Sequence, residues 1–142
     1  MQIITKQSPG KPLTVTIEYP EYTEQVKGLV KKIRSFDISF NAASESGQMR
    51  ISLSDVYYLE NVDRKVFLYT KGDVYRLDIS MPEISKITED SDLVRISRTC
   101  IMNTSHLTGI RQLKNSHLEA TLDNGEHLIV SRKYLRDIKR RF

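Results

Sequence analysis

The chain has 142 residues, of which 39% are hydrophobic and 28% are charged, and its net charge is +4 at pH 7. These proportions are typical of one globular domain with its own core, and they exclude a largely disordered chain. No apolar run approaches the roughly 20 residues that cross a bilayer, and the N-terminus lacks a signal peptide's apolar segment, so we expect a cytoplasmic protein.

A strand followed by a helix is predicted at the N-terminus. The alternating, β-branched segment LTVTIEY (residues 13–19) predicts the strand. Pro20 suits the first turn of a helix, and apolar residues then recur at helical spacing over residues 22–33. We assign this strand–helix unit to an N-terminal extension over residues 1–45, whose expected role is dimerisation or contact with a partner. No flexible linker follows it, so we expect it to pack on the rest of the chain.

Residues 46–142 are predicted to form short strands with one short helix. The polar stretch at residues 41–48, which contains Gly47, is expected to be a turn or loop. Hairpin turns are predicted at residues 71–72 (Lys-Gly) and 124–125 (Asn-Gly). The segment SMPEISKITED (residues 80–90) has capping-box spacing and a stripe of Met81, Ile84 and Ile87, so it predicts a short helix with these three residues buried. The fold class is therefore mainly β.

The segment VRISRTCIMN (residues 94–103) interrupts its own pattern. Its apolar residues keep the two-residue rhythm of a half-buried strand, whereas Arg98 falls on a core position of that rhythm. Because an unpaired buried charge is costly, we expect the strand to bulge or end at residues 97–99 and to turn Arg98 outward. The single cysteine, Cys100, is expected to be a small core residue.

The sequence carries no pattern of catalysis or of metal binding. The three histidines have no second ligand at close helical or strand spacing, and phosphate-binding loops and nucleophile elbows are missing. We therefore expect no enzyme activity, no metal, no cofactor and no small-molecule substrate.

Positive charge is organised more clearly than any catalytic group. Residues 95–142 contain ten bases and four acids, a balance that suits a polyanion such as nucleic acid. Bases also occupy three loop-like positions between predicted strands: Arg64 with Lys65, Arg95 with Arg98, and Arg132 with Lys133. Strands can bring such loops to one edge of a sheet, where these side chains can bind guanine edges or phosphates.

Three segments of the chain resemble the LytTR DNA-binding domain of bacterial transcription regulators. They are the strand ending in LE at residues 59–60, the block RISRTCIMN at residues 95–103, and NG at residues 124–125 followed by VSRKY at residues 130–134. The resemblance covers about residues 50 to 140. It implies small antiparallel sheets with a short helix, whose loops enter successive major grooves of double-stranded DNA. The implied sites are imperfect direct repeats about one helical turn apart.

By position, the resemblance assigns the DNA contacts to three loops. The matched residues are Asn61, Arg64 and Lys65 in the first loop, Ser97, Arg98 and Thr99 in the second, and Arg132 and Lys133 in the third. Ser97 stands where the family often has histidine. Asn103 is interpreted as a structural residue that fixes the turn after its strand. Arg95 is left between pairing with a loop carboxylate and contacting a phosphate.

The residues in front of the match are too few for the receiver domain that many LytTR regulators carry, so the resemblance is to the stand-alone type. We therefore expect a sequence-specific transcription regulator that is a homodimer, at least on DNA. Some stand-alone members are controlled by a membrane protein, and the sequence leaves open whether that applies here. It also leaves open the promoter, the sign of regulation and the signal.

Two alternatives remain beside this reading. A non-catalytic protein-interaction module would lack bases at the three loops. An RNA-binding β domain would expose aromatic residues for base stacking, whereas Tyr57, Tyr58, Tyr69 and Tyr75 are spaced for packing in the core or across a hairpin.

Overall fold

The computed structural model describes residues 1–136 and residue 138, and most of its regular structure is β. These residues include two α-helices, α1 (Glu24–Ser35) and α2 (Met81–Ile87). They also include ten strands: β1 (Ser39–Ser44), β2 (Gly47–Ser52), β3 (Tyr58–Val62), β4 (Lys65–Tyr69), β5 (Val74–Leu77), β6 (Leu93–Arg95), β7 (Cys100–Asn103), β8 (Leu107–Gln112), β9 (Leu118–Leu122) and β10 (His127–Val130). The predicted fold class is confirmed. Within the described residues, none of the helices has the length and apolar character needed to cross a membrane.

The strands form two antiparallel sheets. Seven of them make a large sheet in the order β2-β1-β5-β4-β3-β7-β6, and three make a small sheet in the order β10-β9-β8. Hairpins account for most neighbours, including the predicted turns at residues 71–72 and 124–125. The second of these is a three-residue turn, with Gly125 in the left-handed region at φ +88°.

The large sheet separates two hydrophobic cores. One face carries Leu59 and Ile101, which pack in a cluster with Ile84 of α2. The opposite face carries Tyr58 and Met102, which pack against the small sheet. Because successive residues of a strand point to opposite faces, strands β3 and β7 are buried on both sides. These two strands therefore form the rigid centre of the molecule.

Helix α2 begins where its sequence predicts. The Ser80 hydroxyl accepts a hydrogen bond from the Glu83 N–H at 3.3 Å, as expected of an N-cap. Met81 and Ile84 are buried, but Ile87 is 52% exposed, so the prediction that it belongs to the buried stripe was wrong. Ile87 is the last residue of the helix, and the next residue, Thr88, is buried in its place.

The predicted strand at residues 13–19 is not formed. Its residues have no regular structure and no strand partner in the described part of the chain, and Leu13 and Val15 are 93% and 57% exposed. β-propensity reflects packing on a sheet rather than an intrinsic backbone preference, so alternation alone does not create a strand. The following helix is confirmed, but it begins at Glu24 with Thr23 as its N-cap, so the predicted start at Pro20 was wrong and Tyr22, which is 58% exposed, lies outside the helix.

The turn or loop predicted at residues 41–48 is present but much shorter than predicted. β1 continues to Ser44 and β2 begins at Gly47, so two residues make the turn. The polar residues of this stretch misled the prediction because they lie on the exposed face of a hairpin, whereas Ala42 on the other face is buried. The predicted boundary between residues 45 and 46 falls in this turn, and β1 on its N-terminal side also pairs with β5.

Asn103 ties the centre of the sheet to the segment that enters it, as its structural interpretation predicted. The side chain is fully buried, and its Nδ2 donates to the carbonyl oxygens of Leu53 at 3.2 Å and Val56 at 2.7 Å. Its Oδ1 accepts from the N–H and the hydroxyl of Ser105 at 3.0 and 2.7 Å. One amide thereby satisfies backbone groups on both sides of the core.

A polar cluster joins the small sheet to the start of β3. The His106 ring stacks on the Tyr57 ring, with centroids 3.9 Å apart. Its Nδ1 lies 3.0 Å from Asp123 Oδ2, and its Nε2 lies 2.7 Å from the Ser54 carbonyl oxygen. Hydrogen bonding from Tyr57, and then from His106, holds the pKa of the Asp123 carboxyl below its ordinary value. The ionised carboxylate therefore stabilises this junction.

Replacing Asn103 by leucine should lower the free energy of unfolding by about 2–4 kcal/mol, because two buried carbonyl groups lose their donor. Urea unfolding of the full chain measures the change. The matched control is Asn41→Leu on the exposed face of β1, which should have little effect. Equal stability of the two variants would contradict the structural role of Asn103.

The Asp123 carboxylate should make stability depend on pH in the acid range. Because its pKa in the folded chain is lower than its ordinary value of 3.8, its contribution is present above about pH 4 and is lost as the pH falls through the folded value. Asp123→Asn should therefore destabilise the chain at neutral pH and progressively less in acid. Urea unfolding at a series of pH values tests this, with Asp37→Asn as the exposed control. A pH-independent difference from the wild type would contradict it.

Candidate nucleic-acid interface

The interrupted segment at residues 94–103 is a hairpin. β6 ends at Arg95, β7 begins at Cys100, and the two strands pair antiparallel. The predicted end of the strand at residues 97–99 is confirmed, and Arg98 is exposed there. The chain resumes at Cys100 as a separate, antiparallel strand. Facing residues of such a pair lie on the same face, so the hairpin imitates the two-residue rhythm of one strand.

Arg95 braces the turn of this hairpin. Its Nη2 donates to the Arg98 carbonyl oxygen at 2.8 Å, and its Nε donates to the Ser97 carbonyl oxygen at 3.3 Å. The guanidinium therefore binds backbone of its own turn, which neither of the two roles left open by the sequence had included. The Ser97 hydroxyl accepts from the Thr99 N–H at 3.3 Å, so a second side chain helps to set the same backbone.

The first predicted loop is a tight turn between β3 and β4. Val62 and Lys65 are paired, which leaves only Asp63 and Arg64 in the turn, at φ +51° and +66°. Two left-handed residues in succession match the twist of a hairpin. Asn61 and Lys65 were predicted in a loop but lie in strands β3 and β4. Arg64 and Lys65 are both exposed.

The third predicted loop is a 3₁₀ turn, Arg132–Tyr134, that follows β10. Arg132 and Lys133 are exposed, and the Lys133 Nζ lies 5.7 Å from the centroid of the Tyr134 ring. This distance is within the range of a cation–π contact. Three further bases of the basic stretch at residues 95–142, namely Lys139, Arg140 and Arg141, lie outside the described residues.

Two backbone hydrogen bonds bring the three segments together. The Asn61 N–H donates to the Thr99 carbonyl oxygen at 2.8 Å, which joins the β3–β4 hairpin to the β6–β7 turn. The Ser131 N–H donates to the Ile96 carbonyl oxygen at 2.8 Å, which joins the 3₁₀ turn to the same place. The predicted residues are thus collected at one end of the large sheet.

An open cleft of about 660 Å³ lies between the second and third segments. It is lined by Ser97, Arg98, Thr99, Ser131, Lys133 and Tyr134. Four of these were predicted site residues, whereas Arg64, Lys65 and Arg132 are exposed outside the cleft lining. Ser131 and Tyr134 were missed as site residues, although the quoted motif VSRKY contained both.

The surface around the cleft carries uncompensated positive charge. The five predicted bases Arg64, Lys65, Arg98, Arg132 and Lys133 form no ion pair with any described residue. The Asn61 Oδ1 is buried and accepts no hydrogen bond from the described residues. An open, basic surface suits an extended polyanion better than an enclosed small molecule.

The tyrosines and the cysteine behind the loops are packed against other residues rather than exposed for ligand binding. Tyr57 and Tyr58 are buried, and the rings of Tyr58 and Tyr69 stack with centroids 4.2 Å apart. Tyr75 is partly buried against the core that contains α2. The prediction of core or hairpin packing for these tyrosines is confirmed, so they do not form a base-stacking surface. Cys100 is also buried, as predicted, and burial raises the pKa of its thiol to about 12.

The chain is similar to known DNA-binding domains over most of its length. The family model of the LytTr DNA-binding domain matches residues 46–142. Among solved structures, the LytTr DNA-binding domain of a methyl-accepting/DNA response regulator from Bacillus cereus superposes with a TM-score of 0.67. That likeness covers 72% of this chain and 94% of the other at 24% identity, and it bears on the fold alone.

Curated relatives are similar at low identity. The sensory transduction protein LytT of Bacillus subtilis is 25% identical over 84% of this chain and 54% of its own length. LytT of Bacillus anthracis is 26% identical over 68% of this chain and 39% of its own. This chain thus spans about half, or less, of the LytT proteins. An uncharacterised HTH-type transcriptional regulator of Staphylococcus aureus is 22% identical over 89% of this chain and 87% of its own length.

Removing the brace should loosen the β6–β7 turn without unfolding the domain. In Arg95→Met the carbonyl oxygens of Ser97 and Arg98 lose their charged donor, so the amides of residues 97–99 should exchange hydrogen with solvent faster. Hydrogen exchange detected by NMR measures this. Arg98→Met is the matched control, since the structure gives that exposed side chain no hydrogen bond within the described residues. Equal exchange rates in the two variants would contradict the brace.

Proposed function

The chain belongs to the LytTR family of DNA-binding domains through residues 46–142, and from this premise we propose that it is a transcription regulator that binds specific sites in double-stranded DNA. The observation that carries the proposal is the meeting of three basic segments at one end of the large sheet, held together by the Asn61–Thr99 and Ser131–Ile96 hydrogen bonds. Sequence positions about 70 residues apart thereby supply one continuous charged surface.

The proposed DNA contacts are of two kinds, one with a base edge and the others with phosphates. Arg98 projects from a braced turn and is suited to a bidentate hydrogen bond with a guanine in a major groove. Arg64, Lys65, Arg132 and Lys133 flank it and are suited to phosphates, which position a protein on the duplex. Ser97 and Thr99 provide short polar groups beside Arg98. Ser97 already uses its hydroxyl oxygen within the turn, so we assign it the smaller direct role.

The proposed mode of binding is the insertion of these loops into successive major grooves at direct repeats about one helical turn apart. Two copies would occupy such a site, so we propose a homodimer, at least on DNA. Control by a membrane protein, as in some stand-alone members of the family, stays a prediction of the sequence resemblance.

The alternatives from the sequence fit the surface less well. A module that binds only protein gives no reason for five bases on three joined segments that form no ion pair with the described residues. An RNA-binding sheet needs exposed aromatic rings. The four tyrosines considered for that role are buried or partly buried against the hydrophobic cores. Competition by single-stranded RNA against bound duplex DNA separates these readings, and stronger binding of the RNA would overturn the proposal.

Arg98→Ala should weaken specific DNA binding by about 1–3 kcal/mol if the side chain contacts a base. Binding sites are first selected from random duplexes, and affinity is then measured on the selected site and on a scrambled duplex of equal length at several salt concentrations. The variant should lose affinity mainly for the selected site, with an unchanged thermal melt.

Lys71→Ala provides the matched control for charge. Lys71 lies in the β4–β5 turn, at the opposite end of β4 from Lys65, so removing it should leave both affinities nearly unchanged. Equal affinity of the wild type for selected and scrambled DNA at every salt concentration would overturn sequence-specific regulation. A Lys71→Ala loss as large as that of Arg98→Ala would mean that the wrong end of the sheet has been assigned.

A further inference from the structure

The segment at residues 13–19 has the composition of a strand but lacks a partner. Its odd-numbered residues, Leu13, Val15, Ile17 and Tyr19, form an apolar row, and its even-numbered residues, Thr14, Thr16 and Glu18, form a polar row. Within the described residues its backbone pairs with no strand. An apolar, β-prone segment held in water is unfavourable unless something covers it.

The large sheet ends in a strand that lacks a partner as well. β2 pairs with β1 on one side, and among the described residues nothing pairs with its other side. Met49 on this strand is 54% exposed. Natural edge strands are usually short, interrupted by proline or covered, because their free N–H and C=O groups invite another strand. β2 has six residues and no proline.

We propose that residues 13–19 of one copy add as an edge strand to β2 of a second copy, and that the exchange is reciprocal. Both faces of the two segments match. The apolar row of the segment extends the face of Met49 and Ile51, and Ile51 belongs to the core that contains α2. The polar row extends the face of Gln48 and Arg50, which is exposed.

An antiparallel register fits both lengths. All neighbouring strands in this sheet pair antiparallel. The register that overlaps all six residues of β2 places Val15 opposite Ile51 and Ile17 opposite Met49. Glu18 then lies diagonal to Arg50, within reach of an ion pair between long side chains. The opposite charges favour this segment as the strand that covers the edge.

A second copy is the proposed occupant because, within the described residues, the chain's own segment makes no backbone hydrogen bond to its own β2 edge. Reciprocal exchange gives a closed pair in which both edges are covered, as is usual for two-fold dimers. The order of strands keeps this interface away from the proposed DNA surface, since β2 and the β7–β6 pair lie at opposite ends of the sheet. Assembly and DNA binding can therefore occur together.

Sedimentation of the full chain without DNA tests the proposal. The wild type should have the mass of a dimer, and Val15→Pro should weaken dimerisation by about tenfold or more, because proline lacks the N–H of a paired strand. Val15 is exposed and unpaired within one copy, so the thermal melt of the isolated monomer at low concentration should not change. Lys6→Pro, outside the pairing segment, is the control and should sediment as the wild type does.

A charge exchange tests the register. Glu18→Arg and Arg50→Glu should each weaken dimerisation several-fold, and the double variant should recover most of the loss. A monomeric wild type at all concentrations, an unaffected Val15→Pro dimer, or a double variant weaker than either single variant would overturn the proposal. Because no DNA is present, each of these failures leaves the proposed DNA binding standing.

Discussion

The buried amide of Asn103 is the contact on which the arrangement of this domain depends. It lies at the end of β7 and bonds to backbone groups on both sides of the core, including two carbonyl oxygens just before β3. β3 and β7 are neighbours in the large sheet and are buried on both faces. β7 is only four residues long, so whatever fixes Asn103 also fixes the β6–β7 turn about 13 Å away.

The turn is prepared for binding before any ligand arrives. Arg95 donates to two carbonyl oxygens of the turn and so offsets their partial negative charge, which would oppose the phosphate contacts proposed for this surface. The same bonds hold the backbone from which Arg98 projects. A loop that is already ordered loses less conformational entropy on association, so more of the interaction free energy remains as affinity. One arginine thus prepares the surface while another is left free to make contact.

Much of the fold could be predicted from local patterns, and the failures have physical causes. The α2 cap and the two hairpin turns depend on neighbours in sequence, and they were found. The strand at residues 13–19 was predicted from alternation, but a strand also needs an edge to pair with, and within the described residues this segment pairs with none. The hairpin hidden at residues 41–48 was missed because its polar side chains lie on a solvent face.

The candidate site likewise has a part that could be predicted from the sequence and a part that could not. The sequence located its bases, and the family resemblance grouped them into three segments. Neither could reveal that Arg95 binds the backbone of its own turn, because that contact exists only once β6 and β7 have paired. Nor could they place Asn61 and Lys65 in strands, since the length of the turn between them is set by the register of β3 and β4.

The order of strands in the large sheet gives the molecule two functional ends. The β3–β4 hairpin and the β6–β7 turn occupy one end region, and the free edge of β2 occupies the other. No residue is shared between them, and several strands lie in between. If both proposals hold, substitutions in the N-terminal segment would change how many copies gather on a promoter without changing which bases each copy reads. Such a regulator would acquire a new response threshold and keep its set of target genes.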